Sequence, residues 1–164
     1  MITKKNIFFM GEAIKASLSS NDPHCKVGAL LVDGGGIVAS ACNYIDIRPL
    51  VRPEDIAPLM RLIEHNKTLK NVLCEHAEEN LYRQYLKGDE IYVTKGICLD
   101  CARLVVKMGV KRAFMASISR RSKWHRTQMQ ALETMNKAGI CVGYINVQQD
   151  EKGVPYLHRG GLFD

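Results

Sequence analysis

The chain has 164 residues, 46% hydrophobic and 24% charged, as in a folded globular protein, and no apolar run nears the ~20 residues that cross a bilayer. Its net charge of +6 favours a phosphorylated small molecule or nucleic acid as partner without requiring either. Glu12 and Lys15 break the apolar stretch behind the basic start, so the pattern suits an amphipathic helix and not a signal peptide; with six cysteines this predicts free thiols in the cytoplasm.

Ile7, Met10, Ile14 and Leu18 recur at spacings of three and four, which predicts a helix over residues 4–20, ended by Asn21-Asp22-Pro23. Lys26 to Val32 reads as a buried strand, Asp33-Gly34-Gly35-Gly36 as a turn and Ile37 to Cys42 as its hairpin partner. The glycine run is not a phosphate loop, because no Lys-Ser/Thr and no helix follow it. Residues 44–71 form a connector with Pro49, Pro53 and Pro58, and Ile56, Leu59, Met60 and Ile63 place a helix in its middle. Its cations Arg48, Arg52, Arg61, Lys67 and Lys70, with His65, are expected on a solvated face, with a phosphate contact for some of them as the alternative.

A core helix is expected from His76 to Leu86, with Ala77, Leu81 and Tyr85 on one side, followed by a strand from Glu90 to Thr94. The next helix runs from Cys98 to Met108 and stops at Gly109; a strand follows over Lys111 to Ala116. Ser122 or a neighbour starts a helix reaching Ala138, with Met129, Leu132 and Met135 inward, and Ile140 to Val147 gives a fifth strand. From about residue 148 the tail is polar and Gly-rich. Helices alternating with strands after a hairpin predict a single α/β domain, a three-layer α/β/α sandwich on a mixed sheet.

The chemistry gathers between Cys74 and Arg103. A catalytic zinc site takes three protein ligands and leaves a position for water, and His76, Cys98 and Cys101 supply those three. Cys98 and Cys101 are spaced to share one face of a helix's first turn, where free N–H groups favour thiolate. Glu78 is too near His76 to bind the same ion without strain and is placed to move a proton. A zinc ribbon would need a second C-x-x-C, and a redox pair gives no reason for the upstream His-x-Glu. His24, His65, His125 and His158 lack partners at ligand spacing, and Cys25, Cys42, Cys74 and Cys141 are expected to pack in the core.

His76-Ala77-Glu78 followed by Cys98-Leu99-Asp100-Cys101 resembles the signature of the zinc-dependent nucleobase deaminases. The flanking residues resemble the deoxycytidylate (dCMP) branch of the cytidine deaminase superfamily: Asn80 in H-A-E-x-N, Asp22-Pro23 ahead of Val27-Gly28-Ala29, Asn43 at the G-Y-N position, and Tyr92-Val93-Thr94. Two positions depart from that pattern. Ile97 stands where the family has proline before the first cysteine, and Ala41 to Ile45 replaces the usual G-Y-N-G run.

The resemblance implies a five-stranded sheet with zinc held by His76, Cys98 and Cys101 between the N-termini of two core helices, and Glu78 as the catalytic proton carrier. It implies hydrolytic deamination of a cytosine nucleotide, most simply dCMP to dUMP and ammonia. Val27, Asn43 and Ala77 then become substrate contacts, Thr94 to Ile97 the wall beside the exocyclic amine, and a homo-oligomer, usually a hexamer, the expected assembly. The loop at 118–126 falls where similar enzymes frame the pocket mouth, which makes Arg120, Arg121, Lys123 and Trp124 candidates to hold a phosphate and stack on a base. Three other readings share these residues: a deaminase of tRNA or single-stranded DNA, a deaminase of another or a modified base, and a zinc scaffold without catalysis. Glu78 argues against the last, since a structural zinc does not need it.

Overall fold

The computed structural model describes residues 1–84, 86–117 and 123–158. Thr3 opens α1 (Lys4–Ser17) by accepting the Asn6 N–H on its hydroxyl, while the Asn6 side chain accepts the Thr3 N–H at 2.9 Å. β1 (Gly28–Asp33) and β2 (Gly36–Cys42) form a hairpin around Gly34 and Gly35, whose positive φ values are what the tight reversal requires. The connector begins with β3 (Tyr44–Ile45) and a single 3-10 turn at residues 53–55. The one helix expected there is two, α2 (Ile56–His65) and α3 (Lys67–Leu73). Asn66 divides them: its extended backbone ends α2, and its side chain caps α3 by accepting the Leu69 N–H at 3.0 Å. β4 (Cys74–Glu75) then pairs back onto β3, and Ile63 packs on Ile45 and Ile47 in a small apolar cluster of their own.

α4 (Ala77–Tyr82) is shorter than the helix expected over 76–86; Tyr85 lies outside the described residues. β5 (Glu90–Val93), α5 (Leu99–Lys107), β6 (Arg112–Ala116) and α6 (His125–Lys137) follow, and Ser122, expected at the start of the last, is also outside them. The inward stripe of α6 is Gln128, Ala131 and Met135, not Met129, which is exposed. Hydropathy placed the stripe one residue late, because the helix buries an amide where a methionine stood next to it. β7 (Cys141–Ile145) ends before the expected Val147. That residue instead opens β8 (Val147–Gln149), which forms a hairpin with β9 (Pro155–Leu157), so part of the polar tail is ordered structure.

The central sheet has the order β2-β1-β5-β6-β7, antiparallel through β2, β1 and β5 and parallel through β5, β6 and β7. Side chains alternate across it. Ala29, Leu31, Ile91, Val93, Ala113 and Met115 meet α4, α5 and α6 on one face. Leu30, Val32, Tyr92 and Phe114 meet Phe9, Met10 and Ala13 of α1 on the other. The result is the three-layer α/β/α architecture with a five-stranded mixed sheet. No helix among the described residues is long and apolar enough to cross a membrane.

Candidate metal centre and adjoining cavities

Three donor atoms converge where α4 and α5 begin. His76 is the residue before α4, and its backbone N–H donates to the Glu79 carboxylate at 2.7 Å, which fixes the chain there. Cys98 occupies the equivalent position before α5, and Cys101 lies in the first turn of that helix. His76 Nδ1 is 3.2 Å from Cys101 Sγ and 3.6 Å from Cys98 Sγ, and the three donor atoms all lie within 4.8 Å of one another. A tetrahedral zinc with Zn–S near ~2.3 Å and Zn–N near ~2.0 Å sets neighbouring donors about 3.5 Å apart. The donor set fits that ion, and it is the one such group among the described residues.

Without an ion the three donors share protons among themselves, and the Cys101 thiol is pushed up by its hydrogen bond to Cys98 and by burial. Hydrogen bonding from Cys101 and from His76 holds the Cys98 thiol down at about 4, against the effect of burial. The Cys98 sulfur in turn raises the His76 imidazole to about 9. Glu78 is 4% exposed, and burial, opposed by the His76 charge, pushes its carboxyl up to about 7. A carboxyl balanced near neutrality both accepts and returns a proton.

His76, Ala77, Glu78 and Cys98 line one end of a cavity of about 540 Å³. Val27 and Asn43 line its side, and Lys95 and Gly96 continue the wall. Asn43 is buried with its amide already committed: Oδ1 accepts the Val27 N–H at 2.7 Å, while Nδ2 donates to Asp22 at 3.0 Å and to the Cys25 carbonyl at 2.9 Å. Asp22 also accepts the Lys70 ammonium at 2.8 Å and the His24 N–H at 2.8 Å. Burial pushes the Asp22 carboxyl up, but Lys70 and the backbone N–H groups of His24 and Cys25 outweigh that and leave it below its ordinary value. Lys70, expected on a solvated face, is 7% exposed because this carboxylate is there to receive it.

A second cavity of about 390 Å³ adjoins the first and shares Cys25, Lys70, Asn71, Lys95 and Trp124 with it. Lys67 and Lys123 complete a wall of four lysines, with no carboxylate among its described lining residues. The Lys95 ammonium donates to Cys25 Sγ at 2.9 Å, and Lys123 Nζ lies 5.0 Å from the centre of the Trp124 ring. Arg120 and Arg121 lie outside the described residues. Val27, Asn43, Ala77, Lys123 and Trp124 all line one cavity or the other. All six cysteines are free; Cys25 and Cys74 line the first cavity and Cys141 is exposed.

Asp22, Lys70 and Gln128 are the buried polar lining residues outside the predicted catalytic and substrate-contact residues. Asp22 had a signal in its Asp-Pro pair. Lys70 and Gln128 had none, since one reads as a surface lysine and the other as a helix exterior.

Residues 3–117 match the family model of the cytidine and deoxycytidylate deaminase zinc-binding region. Human deoxycytidylate deaminase is 28% identical over 140 residues, covering 81% of this chain and 75% of its own. ComE operon protein 2 of Bacillus subtilis is 29% identical over 163 residues, covering 96% of this chain and 78% of its own. Among solved structures, the dCMP deaminase of cyanophage S-TIM5 in complex with dCMP and dUMP superposes with a TM-score of 0.59 at 20% identity, covering 88% of this chain and 99% of that one.

Proposed function

Because the chain belongs to the cytidine and deoxycytidylate deaminase family, whose zinc-binding region it carries, we propose that it removes the amino group of a cytosine nucleotide by hydrolysis, dCMP foremost. The juxtaposition of the two cavities carries this reading. A buried carboxyl stands with the His76 and Cys98 donors in the first cavity, and four lysines line the second, Lys70 and Lys95 shared between the two. An amino-bearing base belongs at the first and a phosphate at the second. The likeness to human deoxycytidylate deaminase and to a phage dCMP deaminase complexed with dCMP and dUMP supports the same nucleotide.

His76, Cys98 and Cys101 would hold the zinc. When bound, zinc supplies the Lewis acidity that makes water a nucleophile near neutral pH. Glu78 takes the two protons of the attacking water in turn, delivering one to N3 of the ring and one to the departing amine. The water oxygen bonds to C4 as the C4–N bond breaks, so a carbonyl remains and ammonia leaves. The free N–H groups at the start of α4, Ala77 among them, face the reacting end as donors to the base. Lys67, Lys70, Lys95 and Lys123 attract the phosphate and hold it away from the reacting carbon.

The test is ammonia release by zinc-loaded protein on dCMP, deoxycytidine and a cytosine-containing single-stranded oligonucleotide in parallel. Turnover of dCMP, with deoxycytidine far slower, is the expected result. Silence on dCMP overturns the reading, and activity confined to the oligonucleotide moves the protein to the polynucleotide-acting deaminases.

A further inference from the structure

Five polar side chains that line the reaction cavity are buried to more than nine-tenths: Asp22, Asn43, Lys70, Glu78 and Gln128. The first three bind one another through the contacts of Asp22 with Asn43 and Lys70. Glu78 carries protons. Gln128 remains, and its position on α6 is one where the stripe of Ala131 and Met135 calls for an apolar residue. One half of its amide has a partner: Nε2 donates to the Gly96 carbonyl at 3.4 Å. The other half, Oε1, takes no hydrogen bond among the described residues.

Gly96 is shaped around this amide. A Cβ at position 96 would come within 2.8 Å of Gln128 Cδ and closer still to Nε2, so only glycine leaves the amide in place. Of the expected wall of residues 94–97, Lys95 and Gly96 line the cavity, while Thr94 and Ile97 are buried behind it, the Ile97 N–H directed at the Met115 sulfur at 3.4 Å. The backbone at 97 therefore has no proline ring to hold it. Gln128, in direct contact with position 96, holds the adjacent carbonyl instead.

We propose that Gln128 determines which base the site accepts, fixing the Gly96 wall with its amide N–H and receiving an exocyclic amino N–H of the base on Oε1. An amino group donates and a carbonyl at the same ring position only accepts, so an acceptor on the wall favours the aminated base over its oxo counterpart. This assignment rests on the reading of the site as a cytosine-nucleotide deaminase.

Binding of dCMP and dUMP to the zinc-loaded Glu78→Gln protein, measured by titration calorimetry, tests it without turnover. The Glu78→Gln protein should bind dCMP about tenfold or more tightly than dUMP, and adding Gln128→Met should bring the two affinities together. Gln128→Glu, titrated at a pH where its buried carboxyl is protonated, keeps an acceptor and an O–H donor for Gly96 at the same volume and should keep the preference for dCMP, a rescue by hydrogen bonding that volume alone does not give. Wild-type turnover of dCMP, with a dCMP-to-dUMP preference that survives Gln128→Met or is lost in Gln128→Glu, overturns the role of Gln128 alone. A wild type that leaves dCMP untouched overturns both this role and the function it rests on.

Discussion

On the α1 face of the sheet, Arg112 pairs with Glu90, Glu90 accepts the Tyr92 hydroxyl, and Asn6 Nδ2 donates to that same oxygen at 2.8 Å. Beside the reaction cavity, Asp22 gathers Lys70, Asn43 and the backbone of residues 24 and 25 in much the same way. Both networks bury ionised groups, and both obey the rule that a buried charge must be paired. They differ in what is left over. The α1-face network is closed on the inside by the protein itself, with Phe9 and Phe114 packed against the Tyr92 ring, and only Arg112 reaches solvent. The cavity keeps open valences: a carboxyl held near neutrality at Glu78, an unanswered Oε1 at Gln128, and a Lys70 ammonium with three N–H groups for one carboxylate. A closed network holds structure, and an open one is available to a ligand.

Breaking the open side should cost function before stability. Glu78→Gln should lower dCMP turnover by about 10²–10⁴-fold while zinc content by atomic absorption stays at that of the wild type. Replacing a buried ionisable carboxyl by a neutral amide should also leave the melting temperature unchanged or slightly raised. A variant that retained near-normal turnover would remove Glu78 from the chemistry.

Asp22→Ala tests where the two kinds of network meet, because Asp22 is closed towards Asn43 and open towards Lys70. It strands a buried ammonium and frees the loop of residues 22–25 together, for an expected loss of about 3–5 kcal/mol in denaturant unfolding. Lys70→Met strands the carboxylate in its place and should be comparably destabilising. Unfolding curves that match the wild type would mean that the pair is a bystander.

Lys95→Met should act on the ligand alone. Its ammonium lines the cavity and contacts the Cys25 sulfur, with no carboxylate partner among the described residues. Removing one of four cations around a phosphate should reduce kcat/KM for dCMP about tenfold and leave deoxycytidine unaffected, a separation that kinetics on the two substrates reads directly. An equal loss on both would show that Lys95 shapes the base pocket and not the phosphate end.

The same contrast explains what was legible in the sequence. His76, Glu78, Cys98 and Cys101 could be read in advance because metal and proton chemistry demands fixed residue types at short spacings. The layers and the mixed sheet followed from the hairpin and the alternation of helices with strands, and the five strands from the family resemblance. Lys70 could not be read, since its burial depends on a carboxylate 48 residues away and a lysine in a polar connector looks like surface. Gln128 was hidden by Met129, a stronger apolar signal one residue on, which turned the predicted stripe away from the cavity. The hairpin of β8 and β9 was hidden because its anchors are scattered in a polar tail: Val147 and Leu157 pack on the α1 cluster, Gln149 Nε2 donates to Cys25 Sγ at 3.1 Å, and the Lys26 N–H donates to the Gly153 carbonyl at 2.9 Å. Gly153, at φ 72°, lies against the backbone of His24 too closely for any Cβ.

The smallest expected effect falls on the closed side and sharpens the contrast most. Tyr92 is fully buried, and the Glu90 and Asn6 contacts pass through its hydroxyl, so Tyr92→Phe removes the bridge while keeping the ring stacked on Phe114 at 4.8 Å. Glu90 retains Arg112, which leaves the Asn6 amide as the group without its acceptor. The loss should be about 1 kcal/mol in unfolding free energy. Because β5 presents Tyr92 to α1 and its neighbours Ile91 and Val93 to the helices that carry the metal ligands, dCMP kinetics should be those of the wild type. A change in kcat or KM would mean that the two faces are coupled through the strand they share, and that the α1-face network does more than hold the layers together.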